Sequence, residues 1–355
     1  MINVLICDDS ALMRRSLKKI IESDRRLKVI GTARDGEDAV LKARELRPDV
    51  VTMDINMPLL DGISAMQHIV DEEIAPVLMV SSLTQEGAEA TFESLALGAF
   101  DYIAKPGGTV SVNMEESARE IIAKIKAAAD SKSVSKMRRS GRRKGASAVR
   151  TPRKSVAPRR RVRATADGMA VTIGISTGGP KTIFDVLPLI PADLPVPVFL
   201  VQHMPVGFTS SFAQRIDAAS PMTCVEAAAG MHIEPGTIYL ARAGRHLTLF
   251  RKSSGDIVIR TPARPEHQFM PSVNVMMESV LAAYGDGTVG VLMTGMGDDG
   301  ADMMVKITEA GGQTIAESEE TAIVFGMPNE AILRGGANVV APSWDIAGEI
   351  IKAVA

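Results

Sequence analysis

Residues 1–21 read MINVLICDDSALMRRSLKKII, and this stretch sets the architecture. An apolar run through Cys7 has the character of a buried strand; it stops on the paired acids Asp8 and Asp9, and Leu12–Ile21 then takes up helical periodicity. The same strand-then-helix unit recurs along the chain. Asn3–Cys7, Val29–Ala33, Asp49–Met53, Pro76–Ser81 and Asp101–Ala104 are strand-like, and helical stretches such as Gly36–Leu46 and Thr91–Leu97 alternate with them. Such alternation implies a parallel sheet with helices on both faces. It resumes further on with Ala170–Ile175, Val196–Gln202, Thr288–Met293 and Gln313–Ala316. Between these, Gly236–Ala241 and His246–Arg251 followed by Asp256–Arg260 read as antiparallel strands with short turns. The expected fold class is therefore α/β: two doubly wound parallel-sheet domains, the second with an antiparallel addition.

The length of 355 residues also suits two domains. Their boundary is marked by charge, for the net charge is only −2 but unevenly spread. Ser131–Ala166 holds no acidic residue and 14 lysines and arginines among Ser, Gly, Pro and Ala. With like charges repelling and almost nothing apolar to bury, it is expected to be a disordered linker. A sharper expectation is that it binds an acidic partner, such as anionic lipid headgroups or an acidic receptor face. The predicted domains are 1–130, a linker at 131–166, and 167–355.

The longest apolar runs are too short to cross a bilayer, and the N-terminus lacks the features of an export signal, so a cytoplasmic location is expected. Cys7 and Cys224 are the only cysteines, which leaves no ligand set for a zinc site or a disulfide scaffold; both read as buried apolar residues.

Ligands of an open α/β sheet collect at the carboxyl ends of its strands. The first run ends at Asp8 and Asp9, the third at Asp54, the fourth at Ser81 and the fifth at Lys105–Pro106. Carboxylates converging on one edge repel unless a cation lies among them, and hard oxygen donors in that number suit Mg²⁺. Mg²⁺ readily bridges to a phosphoryl group, and Lys105 and Ser81 offer a cation and a hydroxyl to the same oxygens. One Asp-Asp pair alone would be no more than a helix cap, but five such positions at successive strand ends are a constellation.

This set resembles the receiver domain of two-component response regulators across Met1–Asp130, a flavodoxin-like fold. The resemblance implies that Asp54 is phosphorylated and that Asp8, Asp9 and Asp54 hold Mg²⁺ with the backbone carbonyl of Asn56. It implies too that Ser81 and Lys105 bind the phosphoryl group, that Tyr102 reports occupancy by changing rotamer, and that the Lys105–Pro106 bond is cis.

In the second half, Ala170–Ile175 runs into Ser176-Thr177-Gly178-Gly179-Pro180, followed by the helix-like Lys181–Leu187. A serine at a strand-to-helix turn presents its hydroxyl at the sheet edge, near the free N–H groups of the next helix. Gly174–Gly178 matches the G-x-S-x-G pattern, although a plain helix cap would match it as well. His203 closes the run Val196–Gln202, and Thr294–Gly300, with Asp298 and Asp299, closes Thr288–Met293. A serine nucleophile needs a base for its proton and an acid to orient that base, and these types stand at matching strand ends. His68 lies on an amphipathic helix, and His232, His246 and His267 lie in or near the antiparallel section; none ends a parallel strand. Spacing does not choose between Asp298 and Asp299. The order Ser, His, Asp also differs from the Ser, Asp, His order of α/β-hydrolases.

Gly174–Pro180, Gln202–Pro205 and Leu292–Gly300 resemble the catalytic domain of the CheB family of chemotaxis protein-glutamate methylesterases, so that with the receiver the likeness covers all but the linker. The resemblance implies Ser176 as nucleophile, His203 as general base and Asp299, directly before the last glycine of its motif, as the orienting acid. Met296 is then the backbone donor to the oxyanion, and Thr177 the residue that follows the nucleophile. It implies hydrolysis of glutamate γ-methyl esters on methyl-accepting chemoreceptors, with deamidation of receptor glutamines as a companion activity and no cofactor for the ester chemistry. A chemotaxis histidine kinase would be the phosphoryl donor, the unphosphorylated receiver would cover the catalytic face, and membrane contact would be indirect, through the receptors.

Two rival readings are a receiver-regulated hydrolase of another ester or amide, and a binding module using its basic linker. No helix-turn-helix, zinc ligand set or aromatic RNA-binding strand accompanies those charges, so no nucleic-acid partner is expected.

Overall fold

The computed structural model describes residues 1–82, 84–105, 118–131 and 168–355. Apart from Ser131, the basic segment lies outside the described residues, as does Pro106 with its peptide bond. Two compact units are present; among the described residues, 1–81, 97–105 and 118–131 belong to the first, and 82, 84–96 and 168–355 to the second.

The first unit is built from β1 (Ile2–Cys7), α1 (Ala11–Ile21), β2 (Leu27–Ala33), α2 (Gly36–Leu46), β3 (Val50–Asp54), α3 (Gly62–Asp71), β4 (Val77–Ser81), β5 (Asp101–Ala104) and a helix at residues 118–131. Its strands stand in the order β2-β1-β3-β4-β5 and all pair in parallel. This is the flavodoxin-like order expected from the sequence. Three helices start where a short polar side chain accepts an otherwise free amide: Ser10 from Met13, Asp35 from Asp38 and Asp61 from Ser64. Val4 and Ile6 of β1, Val50, Leu78, Val80 and Ile103 pack with Leu17 and Ile21 of α1 and with Ile121 and Ile125 to form one core. With both sheet faces covered, the polar groups at the strand ends are left to converge on one edge.

The segment Gln85–Ala96 is a helix, longer at its start than the periodicity of Thr91–Leu97 suggests, and it groups with the second unit. That unit continues with β6 (Ala170–Ile175), a short helix Gly179–Thr182, β7 (Val198–Gln202), a helix Thr209–Ala219, β8 (Thr223–Glu226) and β9 (Thr237–Leu240). Then come β10 (Thr248–Arg251), β11 (Ile257–Arg260), a helix Val273–Tyr284, β12 (Thr288–Leu292), a helix Ala301–Glu309, β13 (Gln313–Glu317), a helix Met327–Leu333, β14 (Val339–Ala341) and a helix Ser343–Ala353. Seven strands form one sheet in the order β14-β13-β12-β6-β7-β9-β8, every pair parallel. The chain leaves β6 toward β7 and later returns to β12 on the other side of β6. The crevice beside β6 is thus a topological switch point, where sheets of this class bind ligands.

Two sequence expectations are corrected. Gly236–Ala241 is not antiparallel: β9 lies inside the parallel sheet between β7 and β8, and the antiparallel pair among the described strands is β10 with β11. Ile238, Tyr239 and Leu240 are buried in succession, the pattern of a strand covered on both faces. Lys181–Leu187 is not a full helix either; Gly179–Thr182 passes into 3-10 turns at Ile183–Asp185 and Leu187–Leu189. Pro188 has no N–H with which to close a further α-helical turn. Cys7 and Cys224 are both buried free thiols, and burial pushes both up from the usual thiol range.

Candidate functional sites

In the first unit, Asp54 ends β3, and Asp8 and Asp9 directly follow β1, its neighbour in the sheet. Carboxylate oxygens of Asp8, Asp9 and Asp54 all lie within 4.8 Å of one another. Asp8 and Asp54 are buried and Asp9 is exposed. Asp8 Oδ1 accepts the Ser10 N–H at 2.9 Å, while Oδ2 is buried without a hydrogen-bond partner among the described residues. Burial first, then the charge of Asp54, push the Asp8 carboxyl up to about 6. Burial also raises Asp54 above the ordinary carboxylate range, even though Lys105 Nζ donates to its Oδ2 at 2.8 Å and the Asn56 amide donates to it as well. A pair of desolvated acids with an orphaned oxygen has the geometry and the electrostatics to hold a divalent cation.

Ser81 ends β4, one strand from Asp54, and is buried. The structure thus brings Asp8, Asp9, Asp54, Ser81 and Lys105 to one strand edge, with Asn56 just beyond it. Tyr102 is buried on β5; Lys124 Nζ donates to its carbonyl at 2.7 Å and lies 4.8 Å from its ring centroid.

The second constellation follows from sheet register. Ile175 is paired with Gln202, so Ser176 and His203 leave adjacent strands side by side, and the His203 amide donates to Ile175 O at 3.1 Å. On the other side, β12 brings Thr294 alongside, and Ser176 N donates to Thr294 O at 2.9 Å. Gln202 Nε2 donates to the carbonyls of both Ser176 and His203 at 2.9 Å, tying the two turns together. Gly178 has φ +80°, and a Cβ there would come within 2.6 Å of Ile323. Glycine is needed for both reasons.

His203 Nε2 lies 2.9 Å from Asp299 Oδ2, both side chains almost fully buried. A carboxylate can only accept, so the Nε2 proton points to Asp299 and Nδ1 carries the lone pair. Nδ1 is buried with no hydrogen-bond partner among the described residues. It is the nitrogen left to take a proton.

Asp299 receives three further donors: Ser272 Oγ at 2.9 Å, Val273 N at 2.7 Å and Asn274 N at 3.0 Å. Ser272 caps the helix Val273–Tyr284, so the carboxylate sits on that helix's free N-terminal amides. Burial would raise Asp299, but the hydrogen bond from His203 and those from the amides outweigh it and hold the carboxyl below its ordinary value. Its neighbour Asp298 points the other way and pairs with Arg334 Nη2 at 2.7 Å at the surface.

Thr177 directly follows Ser176, and Met296 directly follows Gly295. Gly295, just before Met296, lies so close that a Cβ there would be 2.8 Å from Ser176 Cβ. Thr177 is buried, and its carbonyl accepts Thr294 Oγ1 at 2.9 Å.

Several residues of this site escaped the sequence reading. Phe269 stacks on the His203 ring at 4.3 Å between centroids and 9° between planes. Glu317 is fully buried, and its Oε2 accepts the Thr294 N–H at 2.8 Å. Burial pushes Glu317 up to about 7. Glu317 ends β13, so the strand-end rule finds it once the run Gln313–Ala316 is extended by one residue. Ser272 carries a helix-cap signal in sequence, but no local pattern tells that its hydroxyl faces Asp299.

Comparison with known proteins follows the same division. Residues 171–350 match the CheB methylesterase family, and residues 4–113 the response regulator receiver domain. The chain is 58% identical over its whole length, and 99% of the relative's, to protein-glutamate methylesterase/protein-glutamine glutaminase 3 of Syntrophomonas wolfei. It is 48% identical to the like-named protein of Caldanaerobacter subterraneus, over 99% of this chain and 96% of that one. The crystal structure of the Thermotoga maritima CheB methylesterase catalytic domain superposes with TM-score 0.51 at 37% identity, covering 52% of this chain and 98% of that one.

Proposed function

Given that the chain belongs to the CheB methylesterase family and carries a receiver domain, we propose that Ser176, His203 and Asp299 hydrolyse glutamate γ-methyl esters on methyl-accepting chemoreceptors, under control of phosphorylation at Asp54. The enzyme is a protein-glutamate methylesterase with a receiver, and the glutaminase activity in the names of its relatives extends to the same site. The observation that carries the residue roles is the pairing of His203 Nε2 with Asp299, which leaves Nδ1 as the base.

Ser176 Oγ attacks the ester carbonyl while His203 Nδ1 takes its proton. The imidazolium is held by Asp299, and the oxyanion is met by the Met296 amide. His203 then returns the proton to the departing methoxide, and methanol leaves. Water, deprotonated by the same nitrogen, attacks the acyl-serine; the carbon–oxygen bond to Ser176 breaks, His203 returns the proton to Ser176 Oγ, and the glutamyl carboxyl group is released. A glutamine would follow the same path with ammonia as the leaving group.

In the receiver, taken as residues 1–130, Asp54 accepts a phosphoryl group from a chemotaxis histidine kinase. Asp8, Asp9 and Asp54, with the Asn56 carbonyl, would hold Mg²⁺, which when bound offsets the charge on the phosphoryl oxygens. Lys105 and Ser81 bind those oxygens, and Tyr102 senses the change. The catalytic domain is taken as 167–355 and the linker as 131–166. No helix among the described residues is long and apolar enough to cross a membrane, which fits a cytoplasmic enzyme meeting its receptors from that side.

The test is methanol release from methyl-labelled receptors, with and without an acyl-phosphate donor. Ser176→Ala is expected to abolish release and Asp54→Asn to remove the stimulation. Release that survives Ser176→Ala sinks the assignment of the nucleophile.

A further inference from the structure

A second histidine stands behind the catalytic acid. His246 lies in the loop between β9 and β10 and is 1% exposed. Its Nε2 lies 2.8 Å from Pro265 O, and its Nδ1 lies 3.2 Å from Ser272 N. A carbonyl only accepts and an amide N–H only donates, so the ring is neutral, with its proton on Nε2 and its lone pair on Nδ1. Its own backbone amide donates to Pro262 O at 2.9 Å. One buried imidazole residue therefore grips the segment 262–272 at three points, although residues 263–268 of that segment are exposed.

What that segment carries gives the grip its meaning. Phe269 is the surface on which the His203 ring stacks. Ser272 donates its hydroxyl to Asp299 Oδ1 and begins the helix whose first two amides bind the same carboxylate. The Ser272 N–H held by His246 and the Ser272 hydroxyl held by Asp299 belong to one residue, so a shift of Ser272 moves Asp299 and with it His203.

We propose that His246 is a positioning residue for the esterase: as a neutral hydrogen-bond acceptor for Ser272, it fixes the segment that orients both Asp299 and His203. The proposal rests on the assignment of Ser176, His203 and Asp299 given above. It concerns orientation, in which misplacement by about 1 Å costs about 10²-fold in rate, and it therefore appears in kcat.

The experiment compares His246→Asn, His246→Gln and His246→Leu in the full-length protein. An asparagine amide oxygen reaches the place of Nδ1 and can accept from Ser272; a glutamine amide reaches the place of Nε2 and restores only the bond to Pro265. Expected are a fall in kcat of about 100-fold for Leu and Gln, with KM within about twofold, and a fall of less than about tenfold for Asn. The rate of Ser176 labelling by a fluorophosphonate is expected to follow the same order. A merely structural role would lower thermal stability in all three and leave kcat per labelled site alike. Equal kcat in the Asn and Gln variants, or wild-type kcat in the Leu variant, overturns the proposal; if Leu does not fold, the Asn and Gln pair decides. Should the wild type label at Ser176 yet release no methanol from methylated receptors, the substrate assignment has failed, and the labelling rates still judge His246.

Discussion

Replacing Asp299 by asparagine separates the orienting acid from its neighbour Asp298 more sharply than any deletion. The Asp299 carboxylate receives four donors, two on each oxygen: His203 Nε2 and Val273 N on Oδ2, Ser272 Oγ and Asn274 N on Oδ1. An asparagine amide has one oxygen, so whichever way it turns, its NH₂ faces a backbone N–H of the helix start. Turned toward Oδ1, it opposes Asn274 N and loses a charge-assisted bond, about 1.5–3 kcal/mol. Turned toward Oδ2, it opposes Val273 N and donates to His203 Nε2, which drives the imidazole proton onto Nδ1. The base is then protonated at the atom that must accept from Ser176, and the corresponding change in a serine triad costs about 10⁴ in kcat, or about 5.5 kcal/mol of barrier. Asp298→Asn removes one of three carboxylates around Arg334, since Asp302 and Glu330 remain. An exposed pair of this kind contributes at most about 1 kcal/mol to stability, and the rate is expected to stay within about threefold of wild type. The assay is methanol release from labelled receptors at saturating substrate, with protein unfolding followed in parallel. If both variants stay within about tenfold of wild type, or if Asp298→Asn is the slower, the tautomer argument fails.

Glu317 gives a pH dependence of stability with a definite sign. Held up at about 7 by burial, against an ordinary value of 4.5, it binds its proton more tightly folded than unfolded. Its contribution is therefore full below about pH 4.5 and is lost as pH rises to about 7, a difference on the order of 3 kcal/mol. Glu317→Gln keeps an acceptor for Thr294 N–H and should flatten that decline; a variant whose urea midpoints fall between about pH 5 and about pH 8 as steeply as those of wild type contradicts it. In the receiver, Mg²⁺ is expected to raise the Tm of wild type, and Asp8→Asn, which relieves the repulsion with Asp54, should stabilise the metal-free chain while removing that rise. An unchanged Mg²⁺ response in that variant counts against Asp8 as a ligand.

How much of this was legible follows from where each signal resides. Asp8, Asp54 and Ser81 could be found because a parallel strand announces its own end: the apolar run stops, and the next polar residue stands at the edge. Ser176 and His203 follow the same rule. β9 misled because direction within a sheet is not written in a strand's residues, only its burial is. The motif resemblance singled out Asp299, but no local pattern revealed that Asp298 turns to Arg334.

By itself, then, the sequence determined the two α/β halves, the strand ends and the residue types gathered there, since periodicity and burial act within a few residues. Only the tertiary structure decided which nitrogen of His203 faces the acid. It decided too that Glu317 lies beneath Thr294, and that Phe269, Ser272 and His246 stand behind the site. Those choices depend on hydrogen bonds and a ring stack between groups 23 or more residues apart, such as Thr294 with Glu317 and Ser272 with His246, and packing alone brings such groups within reach.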